Sequence, residues 1–143
     1  MLRVRVKKLN PSAKLPHYAH GGPDGDLAAD LYSLDSVMLA PQSVVRIGTG
    51  IAVQLPPGYG AVIEDRSGLA TKGLTTLAGV IDPGYRGELR VVVANVSVAA
   101  VEIRQGDRIA QLRLVQRFDM EFEEVDQLEA TARNEGGFGS TGR

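Results

Sequence analysis

One short segment of the chain combines a carboxylate, a chain reversal and an aromatic ring. Asp82-Pro83-Gly84-Tyr85 has the residues of a type II turn, because proline fixes φ at the second position and glycine tolerates positive φ at the third. A hairpin closed by this turn would place Asp82 and Tyr85 across a small gap. A carboxylate beside an aromatic face can hold a ring-shaped ligand next to a general base. An ordinary surface turn is the alternative that these residues leave open.

A second group of residues is typical of anion binding. Arg66-Ser67-Gly68 opens a predicted short helix, and helix N-termini offer free N–H groups and a partial positive charge to phosphates. The alternative for this segment is a serine cap beside a solvated arginine. Gln111 is polar among apolar strand residues, so it either contacts a ligand or points to water.

The C-terminal segment is rich in glycine. Residues 137–142 match the spacing G-x-G-x-x-G, but a dinucleotide site needs a following helix and only Arg143 remains. Bare backbone N–H groups and the hydroxyls of Ser140 and Thr141 could still wrap an anion. A disordered tail is the alternative.

Short strands separated by glycine and proline predict the fold class. Strands are expected at 2–9, 27–33, 37–39, 44–47, 51–55, 61–63, 89–94, 96–103 and 109–114. Leu89–Ala94 is nearly all apolar, so we expect it to be buried on both faces. A helix of barely two turns is predicted from Ser67, as its cap, to Gly73. The pattern predicts an all-β sandwich or barrel with one short helix.

The chain is expected to have two parts that meet near residue 125. Residues 1–125 would form the β domain, and residues 126–143 would form a flexible, glycine-rich arm. Residues 121–133 have helix propensity but no clean apolar stripe. Phe118, Met120 and Phe122 alternate as strand residues do.

Composition limits the classes of function. The 143 residues carry 16 Lys and Arg against 17 Asp and Glu, so no net charge draws the protein to nucleic acid or a membrane. The absence of cysteine excludes thiolate metal sites and makes the reducing cytoplasm the simplest compartment. No signal peptide or membrane-spanning segment is expected. His17 and His20, three residues apart, are a weak metal signal, and surface histidines are the simpler interpretation.

Five segments in order resemble the homotrimeric dUTP diphosphatases (dUTPases). They are residues 28–33, 65–70, 79–88, 106–112 and 133–142, the last ending in Phe-Gly-Ser-Thr-Gly. The resemblance implies a jelly-roll β fold, a homotrimer, and Mg²⁺-dependent hydrolysis of dUTP to dUMP and pyrophosphate. This reaction keeps uracil out of DNA and supplies dUMP for thymidylate synthesis. Each active site would draw on three subunits, and the arm would close over a neighbour's site.

The resemblance also implies a role for each matching residue. Asp82 would deprotonate the attacking water, Tyr85 would pack under the deoxyribose and exclude a 2′-hydroxyl, and Asp30 would hold Mg²⁺ through water. The other implied residues bind substrate. They are the backbone of Gly79, Val80 and Ile81 for the uracil edge, Arg66, Ser67, Gly68 and Gln111 for the phosphate chain, and Arg133, Phe138, Gly139, Ser140 and Thr141 for closure over phosphates and base.

The sequence departs from the family pattern at three places. Asp65 stands where the second segment usually begins with proline, so its charge either weakens triphosphate binding or points away. Asn134 stands where glycine usually follows the arginine of the fifth segment, and asparagine also tolerates left-handed backbone angles. Residues 75–77, Thr-Thr-Leu, occupy the region where many members place an asparagine that contacts the base.

Two rival functions are compatible with parts of this pattern. The related dCTP deaminases share the turn, but their glutamate ten positions beyond the shared aspartate corresponds to Val92, which cannot move protons. A bifunctional enzyme fails at the same residue. A regulator that binds dUTP without hydrolysing it would keep the fold and release no pyrophosphate.

Overall fold

The computed structural model describes residues 1–143, and its regular secondary structure is almost entirely β-strand. Its elements are β1 Arg5–Lys8, β2 Ala29–Tyr32, β3 Val37–Leu39, β4 Ser43–Gln54, β5 Tyr59–Glu64, α1 Ser67–Ala70, β6 Leu74–Leu77, β7 Val80–Ile81, β8 Glu88–Asn95, β9 Val101–Ile103 and β10 Arg108–Gln116. The predicted all-β class with one short helix is confirmed. No helix is long or apolar enough to cross a membrane.

The strands form two four-stranded antiparallel sheets and one separate pair. The first sheet has the order β1-β4-β8-β6, the second has the order β2-β10-β5-β7, and β3 pairs with β9. A single cluster of 17 buried apolar residues draws on both sheets and on the pair. Apolar side chains at alternate positions supply this core, because successive residues of a strand point to opposite faces.

The central strand β4 is longer than the sequence pattern predicts. Two strands were expected at 44–47 and 51–55, but Ser43–Gln54 is continuous. The pairing of β4 with β8 shifts register between Gly48 and Ala52, where four residues of β4 span two residues of β8, while Ile47, Thr49, Ile51 and Val53 stay on the buried face. The expectation that β8 is buried on both faces is wrong within one chain, because Arg90 is exposed while Leu89 and Val91 are buried.

The turn at residues 82–85 exists, but the predicted hairpin is wrong. The Tyr85 N–H donates to the Asp82 carbonyl at 3.1 Å. However, β7 pairs with β5, whereas β8 pairs with β4 and β6, so the turn carries the chain from one sheet to the other. Gly84 is not among the glycines with positive φ, so the predicted type II geometry is wrong as well.

Other local predictions also differ from the structure. The helix α1 is a single turn, its N-cap is Arg66, and no side chain caps it, so the predicted Ser67 cap is wrong. Gly73 has a φ of 86° and ends the turns after α1, as expected. Residues 117–143 contain no helix and no strand, because neither the helix propensity nor the alternation there finds a packing partner.

Candidate functional site

Asp82 lies in an open cleft of about 420 Å³, which we call the Asp82 cleft. It is lined by residues 60–62 of β5, residues 80–83, and residues 115–120 at and beyond the end of β10. The predicted residues Val80 and Ile81 therefore line the same cleft as the predicted general base. The Asp82 side chain is exposed to solvent, so it can reach a water molecule in this cleft.

The backbone of β7 is available for recognition because of its place in the sheet. It is the edge strand of the order β2-β10-β5-β7, so no strand pairs with its outer side. Ala78 and Gly79 have φ values of 58° and 106° where the chain leaves the first sheet and enters the second. A side chain at Gly79 would lie 2.6 Å from the Ile63 carbonyl oxygen, so the close approach and the φ both require glycine.

Tyr85 lies outside the lining of the Asp82 cleft. Its hydroxyl donates to the Glu88 carbonyl oxygen at 2.9 Å, so the ring lies back across Gly87. A side chain at Gly87 would come within 2.5 Å of the Tyr85 hydroxyl, so glycine leaves room for the ring. Tyr85 remains 44% exposed, so part of its side chain is free to contact a ligand.

A second, more polar cleft of about 260 Å³ surrounds Asp30, and we call it the Asp30 cleft. Its lining residues are Ala19, His20, Asp26, Leu27, Ala28, Asp30, Arg66, Ser67, Arg108 and Gln111. Four residues predicted for phosphate or metal binding are thus together. Gly68 is not part of the lining.

Two arginines hold the carboxylate at the bottom of the Asp30 cleft. Arg66 Nε donates to Asp30 Oδ1 at 2.7 Å, and an Arg108 terminal nitrogen donates to Oδ2 at 3.3 Å. The Asp30 side chain is only 12% exposed. The terminal nitrogens of Arg66 have no protein partner, so they remain free to donate to an anion.

The Asp30 cleft fits a magnesium ion that is shared with phosphate. The structure contains no group of three or more His, Cys, Asp or Glu side chains arranged to hold a metal. Mg²⁺ commonly keeps its waters and uses one or two carboxylates together with substrate phosphates. Asp30, with arginines beside it to bind the same phosphates, is a donor set of that kind.

Gln111 fixes the segment that leads into α1. It lies on β10 between Asp30 of β2 and Glu64 of β5 in the strand register. Its side-chain amide donates to the Asp65 carbonyl oxygen at 2.7 Å, and its second N–H is left for a ligand. Gln111 therefore faces the site, rather than pointing to bulk water.

The Asp65 carboxylate points towards β6. It accepts hydrogen bonds from the Thr75 hydroxyl at 2.7 Å, the Thr76 hydroxyl at 2.6 Å and the Thr76 N–H at 2.5 Å. Burial raises the pKa of Asp65, but the bonds from Thr76 and Thr75 together outweigh burial, so its pKa lies below the ordinary value. Two of the departures from the family pattern therefore contact each other.

Two features of the Asp30 cleft were not predicted from sequence: the role of Arg108 and the pair formed by His20 and Asp26. Arg108 was not singled out, although a basic residue after Gly106-Asp107 was a usable signal. The His20 ring lies 3.1 Å from Asp26, and the His20 backbone and ring hold the pKa of that exposed carboxyl below its usual value. His17 forms only a backbone bridge to Asp30, so the two histidines do not form a metal pair.

The predicted arm residues lie in neither cleft of this single chain. The last hydrogen bond that the C-terminal part donates to the β strands runs from the Arg117 N–H to the Gly58 carbonyl. The arm itself donates none to the β domain. Asn134 has a φ of 42°, so asparagine does adopt the left-handed conformation expected of it. Arg133 donates to the Gly136 carbonyl at 2.7 Å, and Phe138 is fully exposed.

Comparisons with known proteins converge on one family. Residues 15–142 match the family model described as dUTPase. The chain is 48% identical over 146 residues to the deoxyuridine 5'-triphosphate nucleotidohydrolase of Thermobifida fusca, covering 99% of this chain and 79% of the relative. It is 46% identical over 145 residues to that of Hydrogenobaculum sp., covering 99% of each.

Solved structures show the same similarity. A Staphylococcus bacteriophage 80alpha dUTPase mutant with dUpNHpp superposes with a TM-score of 0.87 at 29% identity, covering 99% of each chain. A mutant dUTPase from phage phi11 of S. aureus, solved to study coordination of a structural Mg(II) ion, gives 0.78 at 27% identity, covering 90% of this chain and 99% of that one.

Proposed function

The chain belongs to the dUTPase family, and from that membership we infer that it hydrolyses dUTP to dUMP and pyrophosphate. The observation that carries this inference is that the similarity spans residues 15–142 and includes all five predicted segments. The fold is accordingly the jelly roll that the resemblance implied.

We propose that Asp82 is the general base. It accepts a proton from a water molecule whose oxygen bonds to the α-phosphorus, while the bond from that phosphorus to the departing pyrophosphate breaks. The exposed position of Asp82 in its cleft supports this role, since the carboxylate must meet both water and substrate. The free edge of β7 supports backbone recognition of uracil by Gly79, Val80 and Ile81.

We assign the phosphate chain to the Asp30 cleft. Arg66, Ser67, Gly68 and Gln111 would donate to phosphate oxygens, and Asp30 would hold Mg²⁺ through water. Bound there, the ion would supply positive charge that neutralises the phosphates. Tyr85 would support the deoxyribose. Arg133, Phe138, Gly139, Ser140 and Thr141 would close over the bound substrate.

We propose that a complete active site needs more than one copy of the chain, arranged as a homotrimer. The support is that Asp82 and Asp30 line different clefts, and that the arm residues 133–141 line neither. The division into a β domain at 1–125 and an arm at 126–143 belongs to this proposal. Each arm would complete the site of a neighbour.

The direct test is pyrophosphate release from dUTP, with Mg²⁺ and with a chelator. Release of one pyrophosphate per dUMP is expected, together with little release from UTP. A dCTP deaminase would instead release ammonia from dCTP, and a regulator would bind dUTP without turnover. Either of those results would overturn the proposed function.

A further inference from the structure

Asp65 accepts hydrogen bonds through both its backbone carbonyl and its side-chain carboxylate. Its carbonyl oxygen accepts from the Gln111 side chain at 2.7 Å, and its carboxylate accepts three bonds from Thr75 and Thr76 at 2.5 to 2.7 Å. Gln111 belongs to the second sheet, whereas the threonines belong to edge strand β6 of the first. The residue therefore ties the two sheets together at the point where the chain leaves β5.

The two sides of this contact differ in how firmly they are fixed. Thr75 and Thr76 lie in a continuous ladder, opposite Ala94 and Val93 of β8. Asp65 lies one residue beyond the end of β5 and has no strand partner. The ladder is therefore the anchor, and the segment starting at Asp65 is what the hydrogen bonds hold in place.

The segment that follows carries the cationic part of the Asp30 cleft. Arg66 is the next residue, and its Nε already bonds to Asp30 at 2.7 Å. α1 is a single turn with no side-chain cap, so it provides little rigidity of its own. The direction of Arg66 and Ser67 thus depends on the conformation of the backbone at Asp65.

We propose that Asp65, bound to Thr75 and Thr76, is a positioning residue that aligns Arg66 and Ser67 with the phosphate chain of the substrate. The proposal rests on the proposed function. The negative charge faces neutral donors on β6, so Asp65 supports phosphate binding without contacting a phosphate. The lowered pKa of Asp65 is consistent with a carboxylate that stays ionised in this position.

The role predicts a selective effect on the phosphate part of the ligand. Asp65→Ala should raise the KM for dUTP and the inhibition constant of pyrophosphate about tenfold, which is the cost of one charged hydrogen bond that a misaligned Arg66 no longer donates to the phosphates. Binding of deoxyuridine should change less than about twofold, because the Asp82 cleft contains neither Asp65 nor its partners. Asp65→Asn should recover most of the loss, since its oxygen can still accept from the Thr76 N–H.

Two further variants keep the test decisive. Thr76→Val leaves Asp65 in place and should raise the inhibition constant of pyrophosphate by about threefold. This variant still tests the proposal if Asp65→Ala does not fold. Glu102→Gln removes an exposed carboxylate on β9, paired only with Arg104, and serves as the matched control for charge.

Three results would overturn the proposal. The first is unchanged pyrophosphate binding in both Asp65→Ala and Thr76→Val. The second is an equal loss of pyrophosphate and deoxyuridine binding. The third is a lowered unfolding temperature with unchanged kinetics, which would make Asp65 a structural residue only. A wild-type protein that does not hydrolyse dUTP would instead refute the proposed function, so the two failures are distinguishable.

Discussion

The Asp82 cleft and the Asp30 cleft belong to the same sheet but offer opposite chemistry. The Asp82 cleft is lined mainly by apolar residues and the free edge of β7, with the exposed carboxylates of Asp82 and Asp119 beside them. The Asp30 cleft gathers two arginines around a nearly buried carboxylate, with a glutamine and a histidine beside them. The Asp82 cleft therefore suits a flat, uncharged ring and a water molecule, and the Asp30 cleft suits phosphates and a cation.

The residues that we propose for the site are therefore divided, within one chain, between two clefts. A triphosphate has its base and its phosphates on one molecule, so both kinds of chemistry must act together during the reaction. In one chain they lie in separate clefts. Neighbouring copies are the means by which we expect them to be combined.

The largest effect is expected from a variant that disables the Asp82 cleft alone. Asp82→Asn keeps the shape of the side chain but cannot accept a proton, so kcat should fall by about 10² to 10⁴-fold. Binding of dUTP, measured by calorimetry, should be nearly unchanged. A variant with near-normal kcat would assign the general base to another residue.

Removal of the arm should have the next largest effect. Deletion of residues 133–143 should lower kcat/KM by about a hundredfold, since the groups that close over the substrate are lost. Sedimentation should show an unchanged oligomer, because the arm is proposed to close over bound substrate and not to join the β domains to one another. A monomeric truncated protein would mean that the arm is an assembly element.

The all-β fold class was predictable from sequence, but the pairing of the strands was not. The resemblance of five consecutive segments to one family predicted that Asp30, Arg66, Ser67 and Gln111 would lie together. The turn at 82–85 was predicted from its proline and glycine. The hairpin was wrong because strand pairing is decided by distant partners, here β5 for β7 and β4 for β8. No local signal distinguishes a turn inside a sheet from one between sheets.

Contacts between residues far apart in the chain could not be predicted from the sequence either. Asp65 and Thr76 are far enough apart that neither residue predicts the other, and strand β6 was missed altogether. The separation into two clefts is a property of the packed sheets. Short-range patterns report turns and periodicity, and they contain no information on which cleft a residue enters.

Asp30→Asn tests the proposed metal-binding role of the Asp30 cleft. The variant should raise the Mg²⁺ concentration for half-maximal activity about tenfold, since loss of a water-mediated carboxylate weakens the metal site. The pairs with Arg66 and Arg108 would also weaken. Glu102→Gln, an exposed change of the same charge, should leave the metal dependence unchanged. An unaltered magnesium titration for Asp30→Asn would place the ion elsewhere.

An effect about as large as that of Asp30→Asn is expected on discrimination of the sugar. Tyr85→Ala should raise the rate with UTP relative to dUTP by about tenfold, since the ring would no longer occupy the space of a 2′-hydroxyl. The measurement is pyrophosphate release from each nucleotide at equal concentration. If UTP remains excluded, another residue must sense the sugar.

Subunit mixing tests most directly whether the two clefts act together across chains. Asp82→Asn and Arg66→Ala proteins, each nearly inactive, are unfolded together in equal amounts, refolded and assayed with dUTP. If each site takes Asp82 from one copy and Arg66 from another, about a quarter of the sites regain both residues, and activity returns to that level. If the mixture stays as inactive as its two components, each chain completes its own site and the account is wrong.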